Sequence, residues 1–84
     1  MNVSILDEVR QIVADLFNIP LYDIRPDSSP DTLDVWDSLQ HLNLILALEQ
    51  NWGVQFLPEE IEKMTTVRAA AAMVEEKLSR NGNG

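Results

Sequence analysis

The chain has 84 residues and a formal net charge of −8, from 14 acidic and six basic side chains. This length allows one small domain, and because the chain contains no cysteine, no disulfide can support its core. The acidic balance argues against nucleic acid and anionic membranes as partners, since both select basic surfaces. One histidine and no cysteine also give no recognisable site for zinc or another transition metal.

The N-terminus has no secretory pattern, because Met1-Asn2-Val3-Ser4 lacks a basic start and no unbroken apolar run follows it. No segment approaches the roughly 20 apolar residues that a membrane-spanning helix needs. We therefore expect a cytoplasmic monomer that does not insert into membranes.

The first helix is predicted over residues 4–17, where Ser4 and Asp7 form a start typical of a capping box. Apolar residues recur there at three- and four-residue spacing: Ile5, Val9, Ile12, Val13 and Leu16. A long loop is expected between Asn18 and Asp37, because this segment contains three prolines and five aspartates. Its candidate anchors are apolar: Leu21, Tyr22, Ile24, Leu33 and Val35. We interpret Tyr22 and Trp36 as loop packing rather than a platform for a ligand.

The second helix is predicted from Ser38 to about Trp52, and it carries two apolar stripes. The first stripe is expected in the core and comprises Leu44, Ile45, Leu48 and Trp52. The second begins beside Ser38 and comprises Leu39, Leu42 and Leu46. Leu39 and Leu46 are typical of a docking surface, whereas Leu42 could equally pack inward against the loop.

The rest of the chain predicts two more helices. Gly53 is expected to end the second helix, and Pro58-Glu59-Glu60 to begin a short third one. Thr65 or Thr66 would cap a fourth helix that ends before residue 81. Its buried stripe would contain Val67, Ala70, Ala71, Val74 and Leu78. The prediction is an all-α four-helix bundle, with one domain over residues 1–80 and a flexible tail over 81–84.

Ser38 has two readings that are compatible with each other. Its hydroxyl could cap the second helix by accepting a backbone N–H bond. It could also carry a phosphate ester, because the positive end of the helix dipole tolerates added negative charge. His41, three residues later, could contact such a phosphate, but we favour a side chain that faces solvent or a partner and has no catalytic role.

The order of these parts resembles the acyl carrier protein family over nearly the whole chain. Asp37-Ser38-Leu39 is a weak signal alone, but its position in an acidic four-helix sequence of this length makes it specific. The other matching residues are Leu42, Leu44-Ile45, Ala47-Leu48-Glu49, Trp52, Pro58-Glu59-Glu60 and Lys63-Met64-Thr65-Thr66-Val67.

The resemblance implies that a phosphopantetheinyl transferase attaches 4′-phosphopantetheine from coenzyme A to Ser38, and that acyl or aminoacyl groups are carried there as thioesters. The chain itself would not be an enzyme. Asp37 would orient the hydroxyl and a magnesium ion in the transferase complex, or act only as an acid favourable to the helix dipole. Loading and processing enzymes with basic surfaces would dock on Leu39, Leu42, Leu46, Asn43 and Glu49.

Two further expectations concern the pathway and the cargo. Neutral residues, Gln40, His41, Asn43 and Gln50, stand where the family often has acids, which favours a specialised lipid, polyketide or related pathway over housekeeping fatty-acid synthesis. Apolar cargo could fold back between the second and third helices, into a cleft predicted among Leu44, Leu48, Phe56, Ile61 and Met64.

The sequence also bears on three other functions. A calcium loop is not supported, because Asp27, Asp31, Asp34 and Asp37 lack the alternating spacing, central glycine and final glutamate of an EF-hand. A hydrolase is not supported either, since no glycine-rich elbow surrounds Ser38. The remaining alternative is an unmodified helical domain that binds proteins through Leu39, Leu42 and Leu46.

Overall fold

The computed structural model describes residues 4–81, and this part of the chain contains only helices and loops. The helices are α1 (Ile5–Phe17), α2 (Ser38–Trp52), α3 (Pro58–Lys63) and α4 (Val67–Asn81), with one short 3₁₀ turn at Leu21–Asp23. The predicted all-α bundle is confirmed. Helix α4 includes residue 81 and so ends later than predicted, while residues 82–84 of the predicted tail lie outside the described residues. A single domain over residues 1–80 stays a prediction.

The core lies where α1, α2 and α4 face one another. The predicted stripes supply most of its buried residues, and they include Val9, Val13, Leu44, Ile45, Leu48, Val67, Ala70, Ala71 and Val74. Trp52 and Leu78, at the ends of two stripes, pack against this core and are half-buried. The helical periodicity of the sequence therefore identified the packing faces correctly.

Side chains and a glycine define the helix ends as predicted. The Ser4 hydroxyl accepts a hydrogen bond from the Asp7 N–H at 3.1 Å, and the Thr66 hydroxyl accepts one from the Ala69 N–H at 3.0 Å. Thr66, rather than Thr65, is thus the cap of α4. Gly53 ends α2 in the left-handed conformation with φ of 66°, which glycine adopts without steric cost.

Helix α3 is fixed to α4 by a largely buried ion pair. Lys77 Nζ lies 2.7 Å from Glu60 Oε1, and both side chains are less than 15 % exposed, at 14 % and 12 %. The same carboxylate accepts the Leu57 N–H at 2.7 Å, so it also closes the first turn of α3. One glutamate thereby positions a helix of only six residues.

The long loop is attached to α1 by a guanidinium group. Arg10 Nε donates to the carbonyl oxygen of Ile24 at 2.7 Å, and its Nη2 donates to that of Leu21 at 3.3 Å. The fork of N–H donors allows one side chain to hold two carbonyls three residues apart. The 3₁₀ turn between these carbonyls therefore stays against α1.

The same loop also caps α4 with its backbone. The carbonyls of Pro26 and Ser28 accept the N–H groups of Arg68 and Val67, at 2.7 and 3.0 Å. Ser28 is buried, and its hydroxyl accepts the Arg25 N–H at 2.8 Å. Two donors that the first turn of a helix leaves without intrahelical partners are satisfied in this way.

The anchors predicted for the loop were only partly correct. Ile24 is buried and Leu33 half-buried, as expected, but Leu21, Tyr22 and Val35 are exposed. Tyr22 is 80 % exposed, so its predicted packing role was wrong. The polar groups described above replace these side chains as anchors.

Within residues 4–81, no helix has both the length and the apolar character needed to cross a bilayer.

Replacing Arg10 tests the attachment of the loop. We expect Arg10→Met to lower the free energy of unfolding by about 1–2 kcal/mol, because two carbonyls lose a charged donor in a half-exposed setting. The free energy of unfolding of Arg10→Lys should lie between those of the parent and Arg10→Met, since lysine keeps the charge but lacks the forked N–H donors. Urea denaturation measures these differences. Arg68→Met removes the same charge from an exposed side chain, and an equal loss there would refute the specific role of Arg10.

Candidate functional site

Asp37 caps helix α2, and Ser38 is the first helical residue. Asp37 has an extended backbone, and its Oδ1 accepts the Gln40 N–H at 2.8 Å. The prediction that the Ser38 hydroxyl is the cap was therefore wrong, because the preceding carboxylate satisfies that donor. Asp37 therefore caps the helix, and the Ser38 side chain is not needed for this purpose.

The Ser38 hydroxyl is exposed and makes no hydrogen bond within the described part of the chain. The backbone N–H groups of Ser38 and Leu39 have no acceptor there either. A phosphate ester on this oxygen would therefore lie beside two free donors and the positive end of a 15-residue helix. The residues present thus fit a phosphate attached at Ser38.

Trp36 anchors the start of α2 in the protein core. Its side chain is 1 % exposed and packs against Phe17 of α1, with ring centroids 5.7 Å apart and an interplanar angle of 58°. The indole Nε1–H donates to Nδ1 of His41 at 3.1 Å. Because Trp36 lies two residues before Ser38, its burial determines where the loop ends and α2 begins.

His41 connects α2 to α3, so the predicted position facing solvent or a partner was wrong. The absence of a catalytic role stays a prediction. The ring is half-buried, and its Nε2 lies 3.1 Å from the carbonyl oxygen of Ile61. The hydrogen-bond network assigns Nδ1 as the acceptor of the indole N–H and Nε2 as the donor to the Ile61 carbonyl.

A cleft of about 640 Å³ opens to solvent beside Ser38. Its lining comprises Pro30, Trp36, Asp37, Ser38, His41, Leu42, Ile61, Glu62 and Thr65. Of the residues predicted to form a cleft between the second and third helices, only Ile61 belongs to this lining. Leu44, Leu48, Phe56 and Met64 are buried in the core.

The second stripe of α2 forms an exposed apolar surface, which we call the leucine face. It consists of Leu39, Leu42 and Leu46, which are 67 %, 54 % and 55 % exposed. Leu42 is therefore exposed, and it also lines the cleft. Asn43 lies beside these leucines and is exposed, with its amide donating to Gln40 at 3.0 Å.

Glu49 has a different position from the other predicted partner-binding residues. It is half-buried near the C-terminal end of α2, and its Oε2 accepts the Phe56 N–H at 2.9 Å. This bond holds the loop between α2 and α3. The geometry gives no support to a partner contact by Glu49, which stays a prediction.

The loop aspartates do not form a metal centre in the described structure. Among residues 4–81, no group of three or more histidine, cysteine, aspartate or glutamate side chains is arranged to hold an ion. Asp27, Asp31 and Asp34 are all exposed.

Sequence reasoning missed the hydrogen-bonded series Trp36–His41–Ile61. Its one visible signal was a tryptophan at the end of an acidic loop, five residues before the only histidine. The partner on α3 is a backbone carbonyl, which carries no signal in the amino-acid sequence.

Comparison with known proteins identifies the family of this arrangement. A family model described as a phosphopantetheine attachment site matches residues 7–74. An acyl carrier protein of Streptomyces coelicolor is 37 % identical over 83 residues, covering 96 % of this chain and 89 % of that protein. An acyl carrier protein of Thermosynechococcus vestitus is 37 % identical over 81 residues, covering 94 % and 99 %.

Solved structures with the same fold agree with this result. The solution structure of a holo acyl carrier protein from Geobacter metallireducens has a TM-score of 0.83 and 32 % identity, covering 93 % of this chain and 90 % of that one. The oxytetracycline acyl carrier protein has a TM-score of 0.76 and 27 % identity, covering 96 % and 88 %.

The division of tasks between Asp37 and Ser38 can be tested by stability. We expect Asp37→Ala to lower the free energy of unfolding by about 1 kcal/mol, because the Gln40 N–H loses its cap. Ser38→Ala should change it by less than about 0.5 kcal/mol, since that hydroxyl is exposed and unbonded. Urea titration of the unmodified proteins measures both values. The reverse order of effects would show that Ser38 is the cap.

Proposed function

Because the chain belongs to the acyl carrier protein family, we propose that Ser38 is the residue that carries its covalent phosphopantetheine. The bound group supplies a terminal thiol on which acyl groups are carried as thioesters. Members of this family are carriers and not enzymes, so the chain's own residues present the arm and bind its partners.

The observation that supports Ser38 is its free, exposed hydroxyl at the first turn of α2. In the proposed reaction, this oxygen attacks the phosphorus of coenzyme A that bears pantetheine. The new bond joins that phosphorus to the serine oxygen, and the bond to the second phosphate breaks. Adenosine 3′,5′-bisphosphate leaves with the electron pair, and a base of the transferase accepts the hydroxyl proton.

Asp37 is proposed to assist this transfer through its second carboxylate oxygen. Oδ1 is occupied by the Gln40 N–H, whereas Oδ2 has no hydrogen bond among the described residues. That oxygen lies on the residue adjacent to Ser38, and magnesium prefers carboxylate ligands. In the transferase complex it would help to hold the ion near the attacking hydroxyl.

The leucine face is proposed as the docking surface for the transferase and for enzymes that load and process the cargo. Three exposed leucines on one helix beside the attachment residue give an apolar anchor. The net charge of −8 favours partners with basic rims, which associate faster through electrostatic attraction. Asn43 would supply a polar contact within this surface.

We propose a specialised biosynthetic pathway, active in the cytoplasm, for this carrier. The helix that bears Ser38 presents neutral polar side chains, with Gln40, Asn43 and Gln50 among them, so recognition depends less on local acids. A structural relative is described as the oxytetracycline acyl carrier protein, which provides a precedent for such a carrier.

The attachment residue can be tested by intact mass. Incubation of the unmodified chain with coenzyme A, magnesium and a permissive phosphopantetheinyl transferase should add the mass of one phosphopantetheine group. Ser38→Ala should gain nothing, because it lacks the attacking oxygen.

Ser29→Ala is the matched control, since Ser29 lies in the loop and its hydroxyl is occupied by the Asp31 N–H. It should be modified like the parent. No mass gain in the parent would support the alternative of an unmodified protein-binding domain, and gain in Ser38→Ala would assign the arm to another residue.

The docking surface can be tested by transferase kinetics. Replacing both Leu39 and Leu46 with serine should lower kcat/KM for modification about tenfold or more, since exposed apolar anchors are lost while the core is untouched. Tyr22→Ser removes an exposed apolar side chain from the loop and should leave kcat/KM unchanged. Equal losses in the two proteins would remove the leucine face from the proposal.

A further inference from the structure

We propose that Trp36, His41 and Ile61 form a latch that keeps cargo carried at Ser38 in the surface cleft, so that the carrier favours short or polar acyl groups. The inference rests on the proposed attachment at Ser38. We use the term latch for the hydrogen bonds from the Trp36 indole to His41 and from His41 to the Ile61 carbonyl.

The latch lies where a chain attached at Ser38 would have to enter the protein. The lining of the cleft includes Trp36, Ser38, His41 and Ile61. His41 lies one helical turn from Ser38. Behind them, Leu44, Leu48 and Met64 are completely buried. A chain passing from the cleft toward these side chains must separate α2 from α3 beside His41.

Separating α2 from α3 beside His41 is unfavourable because it breaks the hydrogen bonds of the latch. The Trp36 side chain is 1 % exposed, so loss of His41 as acceptor would leave its indole N–H without a partner in the interior. A buried donor without a partner carries its full desolvation penalty. An aliphatic chain has no acceptor to offer in exchange.

The latch is also held from both sides by packing. The Phe17 ring of α1 supports the indole, and the indole and imidazole planes lie at 27° with centroids 6.0 Å apart. Movement of His41 therefore disturbs α1, the loop and α3 together.

The cleft itself suits cargo that remains partly in water. Asp37, Glu62 and Thr65 are exposed polar residues in its lining, beside the apolar surface of Leu42. A short or polar group keeps its hydration there, whereas a long aliphatic chain would expose most of its length. The latch keeps aliphatic cargo out of the core, and the carrier therefore favours short or polar acyl groups.

The test compares octanoyl and acetyl cargo on the same protein. A permissive transferase loads hydrolysis-resistant octanoyl and acetyl analogues of phosphopantetheine, and intact mass confirms the loading of each form. In the parent, we expect equal melting temperatures for the two forms. We also expect no nuclear Overhauser contacts from the octanoyl chain to Leu48 or Met64.

His41→Ala should allow α2 and α3 to separate, because it removes both hydrogen bonds of the latch. Its octanoyl form should melt about 4 °C or more above its acetyl form, because the chain gains access to apolar surface, and contacts to Leu48 or Met64 should appear. Trp36→Phe keeps an aromatic ring against Phe17 while removing the indole donor, and it should change in the same direction. This second variant serves if His41→Ala does not fold. Tyr22→Ser, in the loop and outside the cleft lining, should behave like the parent.

The outcomes separate this inference from the proposed function. No mass gain in the parent would overturn the proposed attachment at Ser38, and the latch would fall with it. Normal loading with octanoyl contacts to Leu48 or Met64 in the parent would overturn the latch alone. The latch would also fail if both folded variants kept equal melting temperatures for the two cargoes.

Discussion

The burial of Trp36 is the constraint on which the site depends. The acidic loop before α2 places two side chains fully in the core, Ile24 and Trp36, and the indole of Trp36 is the one beside the site. Contact with Phe17 orients the ring, and the bond to His41 ties it to the helix that follows. Since Asp37 and Ser38 come directly after Trp36, their position at the first turn of α2 follows from its burial.

The loop obtains its order from polar groups of other elements. Arg10 holds the carbonyls of Leu21 and Ile24, and the carbonyls of Pro26 and Ser28 cap α4. A loop in contact with two helices satisfies its own backbone while it satisfies theirs. This exchange explains how a segment with three prolines and five aspartates can carry a defined site without a strand.

The sequence was sufficient to predict the helices, because apolar spacing and caps are local properties. The faces of α1, α2 and α4, a cap at Thr65 or Thr66 and the turn at Gly53 all follow from residues within a few positions of one another. The loop contacts could not be derived in this way. Arg10, Ser28 and His41 act through backbone carbonyls or N–H groups, some distant in the chain, and any residue type supplies those groups. Ser38 was identified as a candidate for the cap and for a phosphate ester, but its neighbour Asp37 proved to be the cap.

The separation of the cap at Asp37 from the proposed attachment at Ser38 has a consequence for the carrier's working cycle. If the Ser38 hydroxyl capped α2, the proposed modification would replace a stabilising bond and alter the helix that carries the proposed docking surface. With Asp37 as the cap, the Gln40 N–H stays satisfied before and after modification. The leucine face, the proposed docking surface, begins at the next residue and would therefore keep one geometry for the transferase and for later enzymes. A surface that does not change with its load suits a protein that must bind successive partners, and discrimination between loads then falls to the cleft and the residues that close it.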